Sequence, residues 1–93
     1  MKKEAELTEV TKTRYHELKT IQPYFELVQL GIKAFEIRKN DRDYKVDDYL
    51  LLKEYDPDAG YVDSKPVIAR IKYILNNEEY VAKDHICMSI EVI

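Results

Sequence analysis

With only two glycines in 93 residues, the chain cannot build a glycine-rich phosphate loop. Its single cysteine, Cys87, excludes an intrachain disulfide and a cysteine-rich zinc module. Cys87 lies in a strand-like run with no base beside it, the setting of a buried, inert thiol. Two histidines without a cysteine pair make no zinc set, and no spacing resembles a calcium loop. No metal and no cofactor is therefore expected. An excess of positive charge is missing too: 15 Lys and Arg stand against 18 Asp and Glu, for a net charge of -3 at pH 7. Coating nucleic acid irrespective of sequence needs many phosphates neutralised, so only a local basic patch is left for such a partner. No apolar run approaches the roughly 20 residues of a membrane-spanning helix. The early lysines are not followed by the apolar stretch of a signal peptide, and these absences together predict a cytoplasmic protein without a membrane partner.

Hydrophobic residues at 45% and charged residues at 35% describe one globular domain and one core. Residues 1–12 are polar, with Leu7 and Val10 their only sizeable aliphatics after Met1, and read as a loose N-terminal segment ahead of a domain over 13–93. Arg14 to Lys19 alternates, putting His16 and Leu18 toward the core. The pattern then becomes helical. Thr20 fits an N-cap, Pro23 the first turn, Tyr24, Leu27, Val28 and Leu30 an apolar stripe, and Gly31 a left-handed stop.

Three further strands are expected. Tyr49 to Tyr55 contains consecutive leucines at 50 to 52, which predict burial on both faces. Asp56-Pro57-Asp58-Ala59-Gly60 is a turn signal that opens a hairpin. Val67, Ala69, Ile71 and Tyr73 then face inward by alternation, with Arg70 and Lys72 outward, and Ile86, Met88, Ile90 and Val92 share a face in the last strand. The polar run from Asn76 to Asp84 between them has room for a helical turn. The fold class is α+β, mainly β. About five or six short strands and one helix after the first close most readily as a pseudo-barrel, which removes exposed edges.

The stretch around which the chain is organised is Gly31 to Arg42. As a strand it places Phe35 and Ile37 on one face, assigned here to the core, and Glu36 and Arg38 on the other. Lys33 stands at its mouth; Lys39, Asn40 and Arg42 follow in a turn-like charged run. A guanidinium beside a carboxylate offers a planar fork to phosphate. The ligand-binding candidates are thus His16, Lys19, Lys33, Glu36, Arg38, Lys39, Asn40, Arg42 and Tyr44, the last as a ring for base stacking. For each there is a plainer reading: His16 as a hydrogen-bonded core histidine, Glu36 with Arg38 as a surface ion pair, and the charged run as a solvated loop.

The segments His16-Glu17-Leu18-Lys19, Pro23-Tyr24-Phe25, Gly31-x-Lys33-x-Phe35-Glu36-Ile37-Arg38-Lys39-Asn40-Asp41-Arg42 and Asp47-Asp48-Tyr49-Leu50 resemble the ASCH-like family of small bacterial and phage proteins. The resemblance spans roughly residues 13 to 93 and implies a PUA-like pseudo-barrel with a cleft beside the Lys-Glu-Arg strand. It also implies a role in binding RNA or modified nucleotides. Some ASCH relatives are amidohydrolases acting on acetylated cytidine, with a threonine where this chain has Glu36. Catalytic residues are therefore unassigned, with Lys33 and Glu36 the candidates and Glu78 or Glu79 possible second acids. Three readings follow: a module for RNA or a nucleotide-like ligand, a small nucleoside-acting amidohydrolase, and a protein-interaction or regulatory domain.

Overall fold

A computed structural model describes residues 14–93, so the loose segment expected over 1–12 lies outside the described residues. The first alternation folds as predicted into strand β1, Tyr15–Thr20, with His16, Leu18 and Thr20 buried and the residues between them exposed. Helix α1, Tyr24–Gln29, is the one short helix expected after the first strand. Thr20 ends β1 instead of capping the helix, and the helix buries Phe25 and Val28, while Tyr24 and Leu30 of the expected stripe are exposed. Gly31 does supply the stop: its φ is +75°, its N–H bonds to the Val28 carbonyl at 2.9 Å, and the Ile32 N–H bonds to that of Leu27 at 2.9 Å. This pair of bonds is a Schellman motif, and it turns the chain directly into the next strand.

Strand β2, Phe35–Lys39, lies with the opposite face inward from the one assigned to it. Phe35 and Ile37 are 44% and 53% exposed, while Glu36 is 2% exposed and Arg38 half-buried. The reason lies in its partner. β2 pairs antiparallel with strand β6, His85–Val92, in a register that sets Glu36 opposite Met88 and Arg38 opposite Ile86. Directly opposed residues share a face. Because Ile86, Met88 and Ile90 form an all-apolar stripe in the core, Glu36 and Arg38 go inward with them.

Between these lie β3, Tyr49–Asp56, β4, Gly60–Tyr61, and β5, Val67–Leu75. The Asp56 carboxylate accepts the N–H groups of Asp58 and Ala59, and Gly60 takes φ +91°, which makes the expected hairpin turn onto β4. Leu50 and Leu52 are fully buried and Leu51 partly so, making β3 less two-sided than three leucines implied. In β5, Val67, Ala69 and Ile71 face inward, but a register shift between Ile71 and Tyr73 turns Tyr73 out to solvent. An extra residue at a bulge reverses every later side chain. Val92, at the end of β6, is exposed as well. Between β5 and β6, Val81 donates to the Asn77 carbonyl at 3.0 Å, which is the anticipated single helical turn.

The six strands run in the order β1-β3-β5-β6-β2, with β4 added to β3; β1 is parallel to β3 and the remaining pairs are antiparallel. The fold is mainly β, with one short helix after the first strand. The two edge strands, β1 and β2, meet across a seam that side chains span: Arg38 on β2 donates from Nη1 to the Lys19 carbonyl at 3.1 Å. The sheet thus curls into a pseudo-barrel around Leu18, Leu50, Leu52, Ile71 and Met88, with Phe25 and Val28 of the helix completing the core.

Candidate ligand-binding cleft

Glu36 is the most buried carboxylate of the site, and cations hold both of its oxygens. Lys33 Nζ donates to Oε2 at 2.6 Å and also to the Phe35 carbonyl at 2.6 Å. Arg38 donates from Nε to Oε1 at 2.9 Å, with Nη2 at 2.8 Å from the same atom. A buried carboxylate needs this compensation. Held in this way, Arg38 reaches the seam, where Nη1 meets the Lys19 carbonyl and Nη2 lies 3.3 Å from Thr20 Oγ1.

One strand interval further along, Arg42 Nη1 donates to the Glu17 carbonyl at 2.6 Å. Glu17 and Lys19 alternate with the residues of β1 that face β3, so their carbonyls belong to the free edge of the sheet. Two arginines therefore satisfy edge carbonyls that a neighbouring strand would otherwise take. Beside them opens a cleft of about 170 Å³, lined by Leu18, Arg38, Lys39, Asp41, Arg42 and Tyr44. Three cations face one carboxylate there.

Tyr44 is buried, its ring 4.6 Å from that of His16. It does not offer the open stacking face expected of it. Burial pushes its hydroxyl above the ordinary value of 10.0, with Arg42 and Arg38 pulling the other way. His16 takes the plainer of its two readings: its Nε2 lies 2.8 Å from Asp48 Oδ2, an oxygen that also accepts the Lys45 N–H at 3.0 Å and lies 3.3 Å from Arg14 Nε. This polar cluster sits behind Tyr44 and fixes the loop between β2 and β3.

Of the nine expected ligand-binding residues, Arg38, Lys39, Arg42 and Tyr44 line the cleft. Lys33 and Glu36 brace Arg38 from behind, and His16 supports Tyr44. Asn40 is exposed on the loop, where its N–H bonds to the Asp84 carbonyl at 2.8 Å. Lys19 points its side chain to the outer face of the sheet, with Nζ 4.6 Å from the centre of the Tyr55 ring. Glu78 accepts the Asp84 N–H at 3.4 Å in the β5–β6 connection and is not among the residues lining the cleft. Sequence reasoning missed Asp41, Asp48 and Thr20, and also the edge carbonyls of Glu17 and Lys19. Backbone acceptors leave no trace in residue identity. Asp48 had one weak signal, an acidic residue immediately before a strand of leucines.

Among the described residues no group of three or more His, Cys, Asp or Glu is placed to hold a metal ion, and no helix is long and apolar enough to cross a membrane. Residues 15–90 match a family model described as Domain of unknown function (DUF3850), so the chain belongs to that family. No curated protein matches it.

Proposed function

We propose that this DUF3850 member is a binding module for RNA or a nucleotide-like ligand, with a phosphate of that ligand seated in the cleft beside β2. One observation carries the reading. In a chain of net charge -3, the fold gathers Arg38, Lys39 and Arg42 around one small cleft that holds a single carboxylate, Asp41. Arg38 is preorganised by Glu36 and Lys33, which lowers the ordering cost of binding an anion. Arg42 uses Nη1 on the Glu17 carbonyl and has Nε 4.0 Å from Asp41 Oδ1, which leaves Nη2 for a ligand. The resemblance of residues 31–42 to ASCH-like proteins of PUA-like fold supports the same reading, and the free cysteine Cys87 fits a reducing cytoplasm.

The hydrolase reading has less support. It requires Glu36 as a base for water, yet Glu36 is almost fully buried and both its oxygens are engaged by cations.

The test is a titration with a nucleoside monophosphate and a short single-stranded RNA, at low and raised salt, with wild type and Lys39→Glu. Lys39 is exposed, so reversing its charge leaves the fold intact. The variant should lose about tenfold in affinity, and replacing Lys39 by Gln should make the salt dependence shallower by roughly one phosphate contact. Equal affinity in wild type and both variants, unaffected by salt, overturns the reading. Nucleoside turnover by the wild type that disappears in Glu36→Gln would replace it with the hydrolase.

A further inference from the structure

The outer face of β1, β3 and β4 carries a set of residues that neither the core nor the cleft uses. Tyr15 and Tyr49 are register partners with stacked rings 5.5 Å apart. Tyr55 and Tyr61, partners across the hairpin, meet edge to face at 5.3 Å. Tyr15 is 61% exposed and Tyr61 59%. Cross-strand aromatic pairs contribute about 0.2–1 kcal/mol each to a sheet, and rings left half in water also present flat apolar surface to solvent.

Two lysines lie between the ring pairs. Lys19 is the register partner of Lys53; its Nζ stands 4.6 Å from the centre of the Tyr55 ring and 5.8 Å from that of Tyr61. Lys53 Nζ lies 6.0 Å from the Tyr61 ring and 3.1 Å from Glu17 Oε1. Glu17 thus offsets Lys53. Lys19 makes no ion pair among the described residues and leaves its charge to a ligand. From Tyr49 to Tyr55 the strand covers roughly 20 Å, the scale of several nucleotides. Lys19 joins the face to the seam: its side chain lies on the tyrosines, while its carbonyl accepts from Arg38, one of the residues lining the cleft.

We infer that this tyrosine and lysine face is a stacking platform for the bases of single-stranded RNA, Tyr61 and Tyr15 providing the open rings and Lys19 a phosphate contact. The inference rests on the reading of the cleft as a phosphate site and extends it: the cleft holds backbone, the platform holds bases. Unpaired bases fit because stacking needs exposed π faces, which a duplex does not offer. A protein partner is the competing occupant. The lysine lodged among the rings and the adjoining basic cleft favour the polyanion.

The experiment measures binding of an oligoadenylate of roughly ten nucleotides, and separately of adenosine monophosphate, to wild type, Tyr61→Leu, Tyr61→Phe and Lys39→Glu. Tyr61→Leu removes the ring from an exposed position while preserving apolar character. It should weaken the oligonucleotide by roughly 5- to 150-fold and leave the monophosphate unchanged, while Tyr61→Phe, which keeps the ring, should bind both as wild type does. Lys39→Glu should weaken both ligands. Oligonucleotide binding unchanged by Tyr61→Leu but lost in Lys39→Glu overturns the platform while the cleft stands. If the wild type binds neither ligand, both readings fall.

Discussion

Arg38 and Lys19 face each other across the seam of the sheet, guanidinium Nη1 to backbone carbonyl at 3.1 Å, where a closed barrel would have a strand-to-strand hydrogen bond. One side chain thereby spans the seam alongside Arg42, shares the buried Glu36 with Lys33 and forms a wall of the cleft. Fold and candidate site depend on the same few atoms.

Removing that guanidinium should be felt first as instability. Arg38→Met leaves Glu36 with Lys33 as its only charged partner and strips the Lys19 carbonyl of its donor. A loss of roughly 3 kcal/mol is expected, the scale of a broken buried ion pair. Arg38→Lys should recover part of it, since an ammonium cannot reproduce the fork. Urea midpoints of the three proteins measure this, and a midpoint for Arg38→Met equal to wild type would contradict it.

Asp48 should be the next most sensitive carboxylate. Its Oδ2 serves His16, Arg14 and the Lys45 N–H together. Asp48→Ala strands the buried imidazole and takes the acceptor from the partly buried Lys45 amide, at a cost of about 1–3 kcal/mol. Asp63→Ala, at an exposed position, should stay within about 0.5 kcal/mol. Denaturation of the two variants side by side gives the contrast, and equal effects would show that the cluster is not stabilising.

Tyr44 predicts a pH dependence with a definite sign. Its native hydroxyl titrates above the ordinary 10.0, chiefly because it is buried. Between 10.0 and the native value the unfolded chain has released this proton while the folded chain retains it. The unfolded state then binds fewer protons, so stability falls as pH rises through this window; below it the contribution is fully present. Tyr44→Phe should therefore lose less stability than wild type as pH rises above 10.0. Parallel losses in the two proteins would remove Tyr44 as the source.

Gly31 tests the entry to the site. At φ +75° an added Cβ meets no atom within 4 Å, so any cost of Gly31→Ala is that of the backbone conformation alone. About 1 kcal/mol is expected, and less for Gly31→Asn because asparagine tolerates the left-handed region better. Thermal unfolding would measure it, and an alanine variant as stable as wild type would mean that the Schellman turn relaxes without penalty.

The sequence by itself determined which segments become strands, because alternation with period two and turn chemistry act over a few residues. His16 and Leu18 were correctly placed inward, Gly31 and Gly60 adopt positive φ, and the charged run after Arg38 does gather the basic residues of the cleft. What only the tertiary structure decided was which face of β2 turns inward. Alternation is symmetric: Phe35 and Ile37 made as good an inner face as Glu36 and Arg38 until β6 brought Met88 and Ile86 opposite the charged pair. The same holds for Tyr73, turned outward by the register shift in β5, and for Tyr44, packed under the cleft against His16 from 28 residues away. Burying Glu36 is tolerable only because Lys33 and Arg38 converge on it in three dimensions. Desolvation opposes charge in a core, and whether cations are near enough to offset it is a property of the assembled strands that no local pattern contains.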